Sequence, residues 1–179
     1  MLSSSVKDDN SCLSVDLTNP DIHVDGQLAI ARGTVHIERT KFLWKGSQHE
    51  RVRIRNYSLS PLQGRISVQF AADFSDIFEV RGIRRERRGE RLAPILKPDE
   101  VISRYRGLDG VLRQSCVRCF PQPQEISPSV ISLELALPPR GEQTVIFSVS
   151  CEPCEHSAAI ATYDLVSSAA SESLARPSA

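Results

Sequence analysis

Apolar and polar residues alternate along most of this chain, and the alternation constrains its fold more than any other feature. Leu13, Val15 and Leu17 share one side of the first alternating stretch, and Val52 and Ile54 alternate with arginines in another. A period of two is typical of strands in a sheet that has one buried face and one wet face. The pattern therefore predicts strands rather than helices.

About eight stretches alternate in this way, and turn residues such as Asp25-Gly26 and Lys45-Gly46 separate them. Short strands at this spacing are typical of β-sandwiches. We therefore predict an all-β fold, an antiparallel β-sandwich, with one helical turn at most near residues 73–79. The stretches are residues 13–17, 33–39, 50–58, 64–74, 101–107, 111–120, 129–138 and 144–150.

The chain changes character after residue 154. Residues 167–179 consist mostly of Ser and Ala. Such a segment has little apolar surface to bury, so we expect residues 155–179 to be a disordered C-terminal tail. Within this tail, only residues 160–166 suggest a short strand or helix. We expect one domain, formed by residues 1–154.

The charge composition argues against several classes of partner. The chain has 22 Lys and Arg residues and 22 Asp and Glu residues, so its net charge is zero. The six arginines of residues 81–91 are interrupted by Glu86 and Glu90, and no aromatic residue separates them, so we expect no nucleic-acid binding. No apolar run approaches the roughly 20 residues of a membrane span. Because the N-terminus also lacks an apolar signal-peptide core, we predict a soluble cytoplasmic protein without a membrane partner.

Two C-x-x-C pairs form the clearest metal-binding pattern: Cys116 with Cys119, and Cys151 with Cys154, which has His156 close by. Four cysteines can bind zinc. However, Cys116 and Cys119 lie in a predicted strand, where residues three apart point to opposite faces. A redox pair would need a helix N-terminus, and none is predicted here. We therefore predict no metal and no cofactor, and interpret the first pair as buried strand residues.

Asp73, Asp76 and Glu79 are spaced three residues apart, directly before the arginine-rich run. A glycosidase needs two carboxyl groups roughly 5–10 Å apart across a sugar. Such pairs usually come from different elements that line a cleft, and no sequence feature marks a cleft here. We therefore predict that the acids face the neighbouring arginines and that they are not catalytic. The apolar side chains predicted to pack into the core beside them are Phe74, Ile77 and Phe78.

Exposed aromatic rings are the natural platforms for sugars, and the candidates for carbohydrate binding are Trp44, Tyr57 and Tyr105. Tryptophan is usually largely buried, so core packing is the favoured interpretation of Trp44. The sequence contains no phosphate loop, nucleophile elbow or H-E-x-x-H motif. We therefore predict no catalytic residue in this chain.

Two longer motifs are more specific than any of these patterns: D-F-x-D-I-F-E-V-R-G at residues 73–82 and Y-R-G-L-D-G at residues 105–110. Together with residues 3–21, 32–46 and 50–58, they resemble the N-terminal β-domain of bacterial glycogen debranching enzymes of the amylo-α-1,6-glucosidase type. The similar segments occur in the family's order, and the resemblance covers residues 3 to about 150.

The resemblance implies a protein of two parts, in which a β-sandwich packs against a C-terminal (α/α)6 barrel. The barrel carries the catalytic carboxylates and hydrolyses α-1,6 branch glucosides. We expect this chain to lack the barrel, and also an opening strand pair with a D-T-R-x-L-like segment. The loss of that pair is expected to leave an unpaired sheet edge. The matching positions are not the family's catalytic ones, so the resemblance implies no catalytic residue here.

The expected function is therefore that of a non-catalytic accessory domain, whose partner is a catalytic glycoside hydrolase domain or subunit. An alternative is a stand-alone module that binds an α-glucan such as glycogen, which would require its three aromatic rings to be exposed and roughly coplanar. The hypothesis that this chain is an enzyme in its own right ranks last, because its active site would have to consist of Asp73, Asp76 and Glu79 alone. The residues expected to dock the domain are Asp73, Asp76, Glu79, Arg81, Arg84 and Arg85.

Overall fold

Strands dominate the structure, a computed structural model that describes residues 1–7, 11–151 and 160–175. Every strand pairing in these residues is antiparallel, which confirms the all-β prediction. The strands are β1 (Ser3–Val6), β2 (Cys12–Thr18), β3 (Ile22–Val24), β4 (Gln27–Ile30), β5 (Val35–Trp44), β6 (Ser47–Asn56), β7 (Leu62–Gln69), β8 (Glu90–Leu96), β9 (Glu100–Arg106), β10 (Leu112–Phe120), β11 (Glu125–Ile126), β12 (Val130–Leu137) and β13 (Glu142–Ser150). The helices are α1 (Ile77–Val80) and α2 (Ile160–Ala175).

Two sheets enclose the main core. The eight-stranded sheet has the order β1-β2-β5-β6-β13-β10-β9-β8, and the three-stranded sheet has the order β11-β12-β7; β3 and β4 form a separate two-stranded hairpin. Val52 and Val145 of the large sheet and Ile131 and Leu133 of the small sheet belong to one cluster, in which none of the four is more than 4% exposed. The predicted sandwich is thus confirmed, with its core between the two sheets.

Alternation assigns the two faces of the eight-stranded sheet. On β6, Val52 and Ile54 point into the core. Arg51, Arg53 and Arg55 therefore lie on the opposite face, which we call the outer face. This arrangement follows directly from the period of two in the sequence.

Two of the predicted turns close β-hairpins. Asp25 and Gly26, between β3 and β4, have φ angles of 50° and 77°. Lys45 and Gly46, between β5 and β6, have φ angles of 46° and 75°. Two consecutive residues with positive φ are what a two-residue hairpin turn requires, and Gly and Asp adopt that conformation readily.

Asn56 ties the two sheets together. Its side chain is fully buried, and its Nδ2 donates to the carbonyls of Ser60 (2.8 Å), Leu137 (3.4 Å) and Pro138 (3.2 Å). Its Oδ1 accepts a hydrogen bond from the backbone N–H of Ser58 (2.9 Å). Asn56 ends β6 of the large sheet and Leu137 ends β12 of the small sheet. The side-chain amide of Asn56 therefore connects the two sheets.

β8 is an edge strand that the alternation does not predict. It contains Pro94, and its register with β9 shifts between Leu92 and Ile95. Proline cannot donate to a strand ladder and is therefore found at sheet edges and irregularities. The edge position explains how this segment forms a strand in spite of its proline.

α2 occupies part of the expected tail and lies on the outer face. Tyr163 is 3% exposed, and its ring packs edge-to-face against Phe42 with 5.2 Å between centroids. The guanidinium of Arg51 lies 5.0 Å from the Tyr163 ring, and its Nη1 is 3.2 Å from Asp164 Oδ1. No helix among the described residues is long and apolar enough to cross a membrane.

The rest of the expected tail, residues 155–159 and 176–179, lies outside the described residues, as do residues 152–154 at the end of the predicted domain. The boundary placed after residue 154 therefore stays a prediction.

Candidate docking surface

Residues 73–91, which we call the docking segment, form an ordered loop around α1. Asp76 is the N-cap of this helix, and its Oδ1 accepts hydrogen bonds from the backbone N–H groups of Phe78 (2.8 Å) and Glu79 (2.9 Å). In return, Glu79 Oε2 accepts one from the backbone N–H of Asp76 (3.1 Å). This is a capping box, so the D-x-x-E spacing in the sequence is the local signal that starts the helix.

Arg85 and Arg88 hold the acids of the docking segment. Both Nε and Nη2 of Arg85 donate to Asp76 Oδ2, at 3.0 and 2.7 Å. Arg88 Nε lies 3.1 Å from Glu79 Oε1, and its Nη2 donates to the backbone carbonyl of Asp73 at 2.9 Å. The structure thus pairs the carboxylates of Asp76 and Glu79 with arginines of the following run, whereas the Asp73 carboxylate accepts a hydrogen bond from the backbone N–H of Ser75.

Hydrogen bonds keep two of these carboxylates ionised. The backbone N–H of Glu79, and then the guanidinium of Arg85, lowers the pKa of Asp76. The backbone N–H of Ser75 has the largest effect in lowering the pKa of Asp73. A general acid needs a pKa near the working pH, which is the opposite shift. The geometry therefore favours a structural role for these acids.

Phe74 and Gly89 attach the docking segment to the sandwich. Phe74 has a φ of 53°, and its ring stacks on that of Tyr105 in β9 with 5.2 Å between centroids and 10° between planes. The N–H of Gly89 donates to the Tyr105 hydroxyl at 2.6 Å. A side chain at Gly89 would collide with the backbone carbonyl of Arg106. These close contacts fix the segment against the end of β9.

Apolar side chains of the docking segment point to solvent. Ile77, Phe78, Val80 and Ile83 are 50% to 72% exposed, and α1 buries none of its residues. The prediction that Ile77 and Phe78 pack into the core is wrong, because α1 sits in an exposed loop outside the sandwich. Phe78 instead lies against the guanidinium of Arg85, 5.5 Å from its ring centroid. Phe74 is half-buried on Tyr105, outside the main core cluster.

The turn between β9 and β10 also has exposed apolar side chains, since Leu108 and Val111 are 65% and 51% exposed. Gly89 of the docking segment lies directly against the backbone of Arg106 and Gly107, where this turn begins. The docking segment also has exposed arginines, and the side chains of Arg81, Arg84 and Arg87 make neither an ion pair nor a hydrogen bond within the part of the chain that the structure describes. We call these apolar side chains and arginines the docking surface. It consists of Ile77, Phe78, Val80, Ile83, Leu108, Val111 and the unpaired Arg81, Arg84 and Arg87.

The three aromatic residues predicted to bind carbohydrate lie apart. Trp44 ends β5 and pairs with Ser47, whereas Tyr57 follows the far end of β6. About ten residues of strand, or roughly 33 Å, separate these two positions. The ring of Tyr105 is stacked on Phe74, and Tyr105 belongs to β9, which lies three strands away from β6 in the large sheet. The structure therefore does not place the three rings in one plane.

The cysteines of β10 are buried separately. Cys119 is 1% exposed and belongs to the main core, whereas Cys116 is 2% exposed and lies outside that cluster. Burial raises the pKa of the Cys119 thiol to about 12 and also raises that of Cys116. Within the described ranges, no group of three His, Cys, Asp or Glu side chains could hold a metal ion. Cys154 and His156 of the predicted pattern lie outside those ranges.

Comparison with solved structures finds two larger chains of which a part is similar to this fold. A protein described as a kojibiose phosphorylase from the human microbiome is 9% identical with a TM-score of 0.50, over 91% of this chain and 21% of that one. A polysaccharide lyase is 10% identical with a TM-score of 0.42, over 82% of this chain and 22% of that one. At such identity, the likeness to the phosphorylase shows the fold alone. The chain spans only about a fifth of the phosphorylase.

Comparison with curated protein sequences gives no match. A family profile, by contrast, covers most of the chain: the profile for the N-terminal domain of (some) glycogen debranching enzymes matches residues 1–148. These residues include the whole of the docking segment, strands β1 to β12 and most of β13. This chain therefore belongs to the family of N-terminal domains of glycogen debranching enzymes.

Proposed function

We propose that this chain is a non-catalytic accessory domain of a glycogen-debranching system of the amylo-α-1,6-glucosidase type. In this proposal the docking surface packs against the catalytic glycoside hydrolase domain. The observation that carries it is the row of exposed apolar side chains on α1 and beside it. Contiguous exposed apolar surface with a polar rim is typical of a protein–protein interface.

The family supports this choice of partner. Its profile describes the N-terminal domain of an enzyme, so members of the family are joined to further domains that perform catalysis. The carboxylates of Asp76 and Glu79 accept hydrogen bonds from backbone N–H groups and pair with arginines, and that of Asp73 accepts one from the N–H of Ser75. That arrangement suits an ordered docking loop better than a hydrolytic site.

The energetics of such an interface follow from the exposed side chains. Full burial of a side chain such as Val80 or Phe78 contributes about 1.5–3 kcal/mol. The capping box and the stacking of Phe74 on Tyr105 hold the loop in one conformation before binding, which lowers the entropy lost on association. The unpaired arginines of the docking surface favour a partner surface with carboxylates.

Association with the catalytic domain tests the proposal. Sequencing the DNA on both sides of the coding region identifies that domain, which is then tagged and co-expressed with this chain. We expect the chain to co-purify with it. Val80→Asp places a charge on the docking surface at α1, where Val80 is 72% exposed and is not part of the core. We expect this variant to be lost from the complex.

Leu59→Asp is the matched control, because Leu59 is 76% exposed and lies outside the docking surface. It should co-purify like the wild type, and circular dichroism should show both variants folded. A wild-type chain that does not co-purify would contradict the proposal. Equal retention of Val80→Asp and Leu59→Asp would contradict the location of the interface.

A further inference from the structure

A second surface of interest lies on the outer face of the eight-stranded sheet. Its strands β2, β5 and β6 are separated from the edge strand β8, which adjoins the docking segment, by β13, β10 and β9. Asp16, Glu38 and Arg53 lie opposite one another on these three strands, and His36 lies opposite Arg55. We call these five residues and Tyr57 the Tyr57 patch.

Polar contacts hold the planar side chains of the patch in place. His36 Nε2 lies 3.0 Å from Asp16 Oδ1, and the hydroxyl of Ser3 donates to Asp16 Oδ2 at 2.7 Å. Arg53 Nη1 lies 3.3 Å from Glu38 Oε2. Cross-strand pairs of this kind fix side-chain orientation on a sheet face.

Tyr57 provides an exposed ring at the end of this array. It is 55% exposed, yet the guanidinium of Arg55 lies 5.2 Å from its ring centroid. The His36 ring lies 6.2 Å away at an angle of 68°. The backbone N–H of Tyr57 donates to the carbonyl of Thr34 at 2.8 Å, so the main chain is also fixed. An aromatic side chain that is ordered and still accessible loses little freedom when a ligand contacts it.

The charges of the patch suit a neutral ligand. The carboxylates of Asp16 and Glu38 balance the guanidinium groups of Arg53 and Arg55. A nucleic acid or an acidic surface would select for an excess of positive charge, which is absent from this set. The partly exposed guanidinium, carboxylate and imidazole groups instead offer both donors and acceptors to a ligand rich in hydroxyl groups.

We propose that the Tyr57 patch binds an α-glucan chain, which lies along the sheet with a sugar ring against Tyr57 and its hydroxyls bonded to the neighbouring planar side chains. The patch is on an open sheet face, so it suits a polymer chain rather than a small sugar enclosed in a pocket. The identity of the polymer rests on the proposed function, because glycogen enters through the family to which the chain belongs.

Native gel electrophoresis in the presence and absence of glycogen tests this site in the full chain. Glycogen should retard the wild type. Tyr57→Ala should weaken the apparent affinity roughly three- to tenfold, the range expected for loss of one aromatic contact. Tyr57→Phe keeps the ring and should retain most of the affinity. Leu59→Ala, a change at a more exposed side chain two residues away, should be retarded like the wild type.

The two proposals fail separately. Val80→Asp should lose the catalytic domain but keep its retardation by glycogen, whereas Tyr57→Ala should keep the catalytic domain and bind glycogen more weakly. Three results would overturn the Tyr57 site: no retardation of the wild type, equal retardation of Tyr57→Ala, or equal retardation in a gel that contains a β-glucan instead of glycogen. None of these results bears on whether the docking surface binds the catalytic domain.

Discussion

Replacement of Tyr163 by alanine should detach α2 from the sandwich. The Tyr163 side chain is 3% exposed and packs against Phe42 and under Arg51. Truncation of a buried aromatic side chain to alanine usually costs about 3–5 kcal/mol. Because α2 can dissociate instead of leaving a cavity, the loss cannot exceed what the docked helix contributes. We therefore expect a decrease of about 3 kcal/mol in the free energy of unfolding.

Two further substitutions separate the contributions of Tyr163. Tyr163→Phe keeps the ring and loses only the hydroxyl, which donates to the carbonyl of Thr40 at 3.2 Å. We expect a loss of about 1 kcal/mol, the usual net value of one hydrogen bond. Leu165→Ala is the matched control on the same helix, because Leu165 is 73% exposed. Its effect should stay within about 0.5 kcal/mol.

The fluorescence of Trp44 provides an assay that is specific for the docking of α2. Trp44 is the single tryptophan of the chain and packs against the cluster that contains Phe42 and Tyr163. Its fluorescence therefore reports on the docking of α2, whereas circular dichroism reports on the sheets. In urea titrations, Tyr163→Ala should shift the native emission of Trp44 to longer wavelength and lower the unfolding midpoint. An unchanged emission and midpoint would refute the docking of α2 on this face.

The pH dependence provides an independent check. Burial raises the pKa of Tyr163 from 10.0 to about 12. Since the folded pKa lies above the unfolded one, the neutral hydroxyl stabilises the fold, and this stabilisation is complete below pH 10 and lost as pH rises towards 12. Tyr163→Phe should lack this part of the alkaline loss. A parallel loss in both proteins would show that Tyr163 is not buried.

Three other predictions test the fold and its ionisable groups. Asn56→Ala should lower the free energy of unfolding by about 2–3 kcal/mol in urea titrations, because it leaves buried carbonyls and an N–H without partners; an effect within about 0.5 kcal/mol would contradict this. The carboxyl of Asp109 should titrate at about 2 by NMR, since Arg113 lowers its pKa, and Arg113→Ala should return it towards 3.8; no change in the variant would exclude Arg113 as the cause. Cys151 is exposed and should react with a thiol reagent in the native chain, whereas the buried Cys119 should react only after unfolding. Modification of Cys119 in the native protein, mapped by mass spectrometry, would contradict its burial.

The alternation of residues was sufficient to predict strands and to assign their faces. Val52 and Ile54 are buried and the arginines between them lie on the outer face, as a period of two requires. The hairpin turn at Lys45-Gly46 was also visible in the sequence. Strand faces and hairpin turns depend on residues that are close together in the chain, so they can be predicted from a local sequence pattern.

The docking segment was predictable only in part. Asp76 and Glu79 cap α1 from three residues apart, and Arg85 is close enough in the chain to reach Asp76. The exposure of Ile77 and Phe78 was not predictable, because an apolar pattern shows what a side chain would bury and does not show whether another element covers it. The distances between the three aromatic residues proposed to bind carbohydrate could not be predicted either, because they depend on where each strand lies in the sheet.

The amino-acid sequence by itself determined an antiparallel β fold, its turns and the local pairing of acids with arginines. Only the tertiary structure decided that β6 lies between β5 and β13, that α2 covers part of the outer face, and that side chains such as Val80 and Tyr57 are exposed in the described part of the chain. The physical reason is the range of the interactions. Hydrogen-bonded turns and caps form between near neighbours, whereas strand order and surface exposure depend on how the whole chain closes over one shared core.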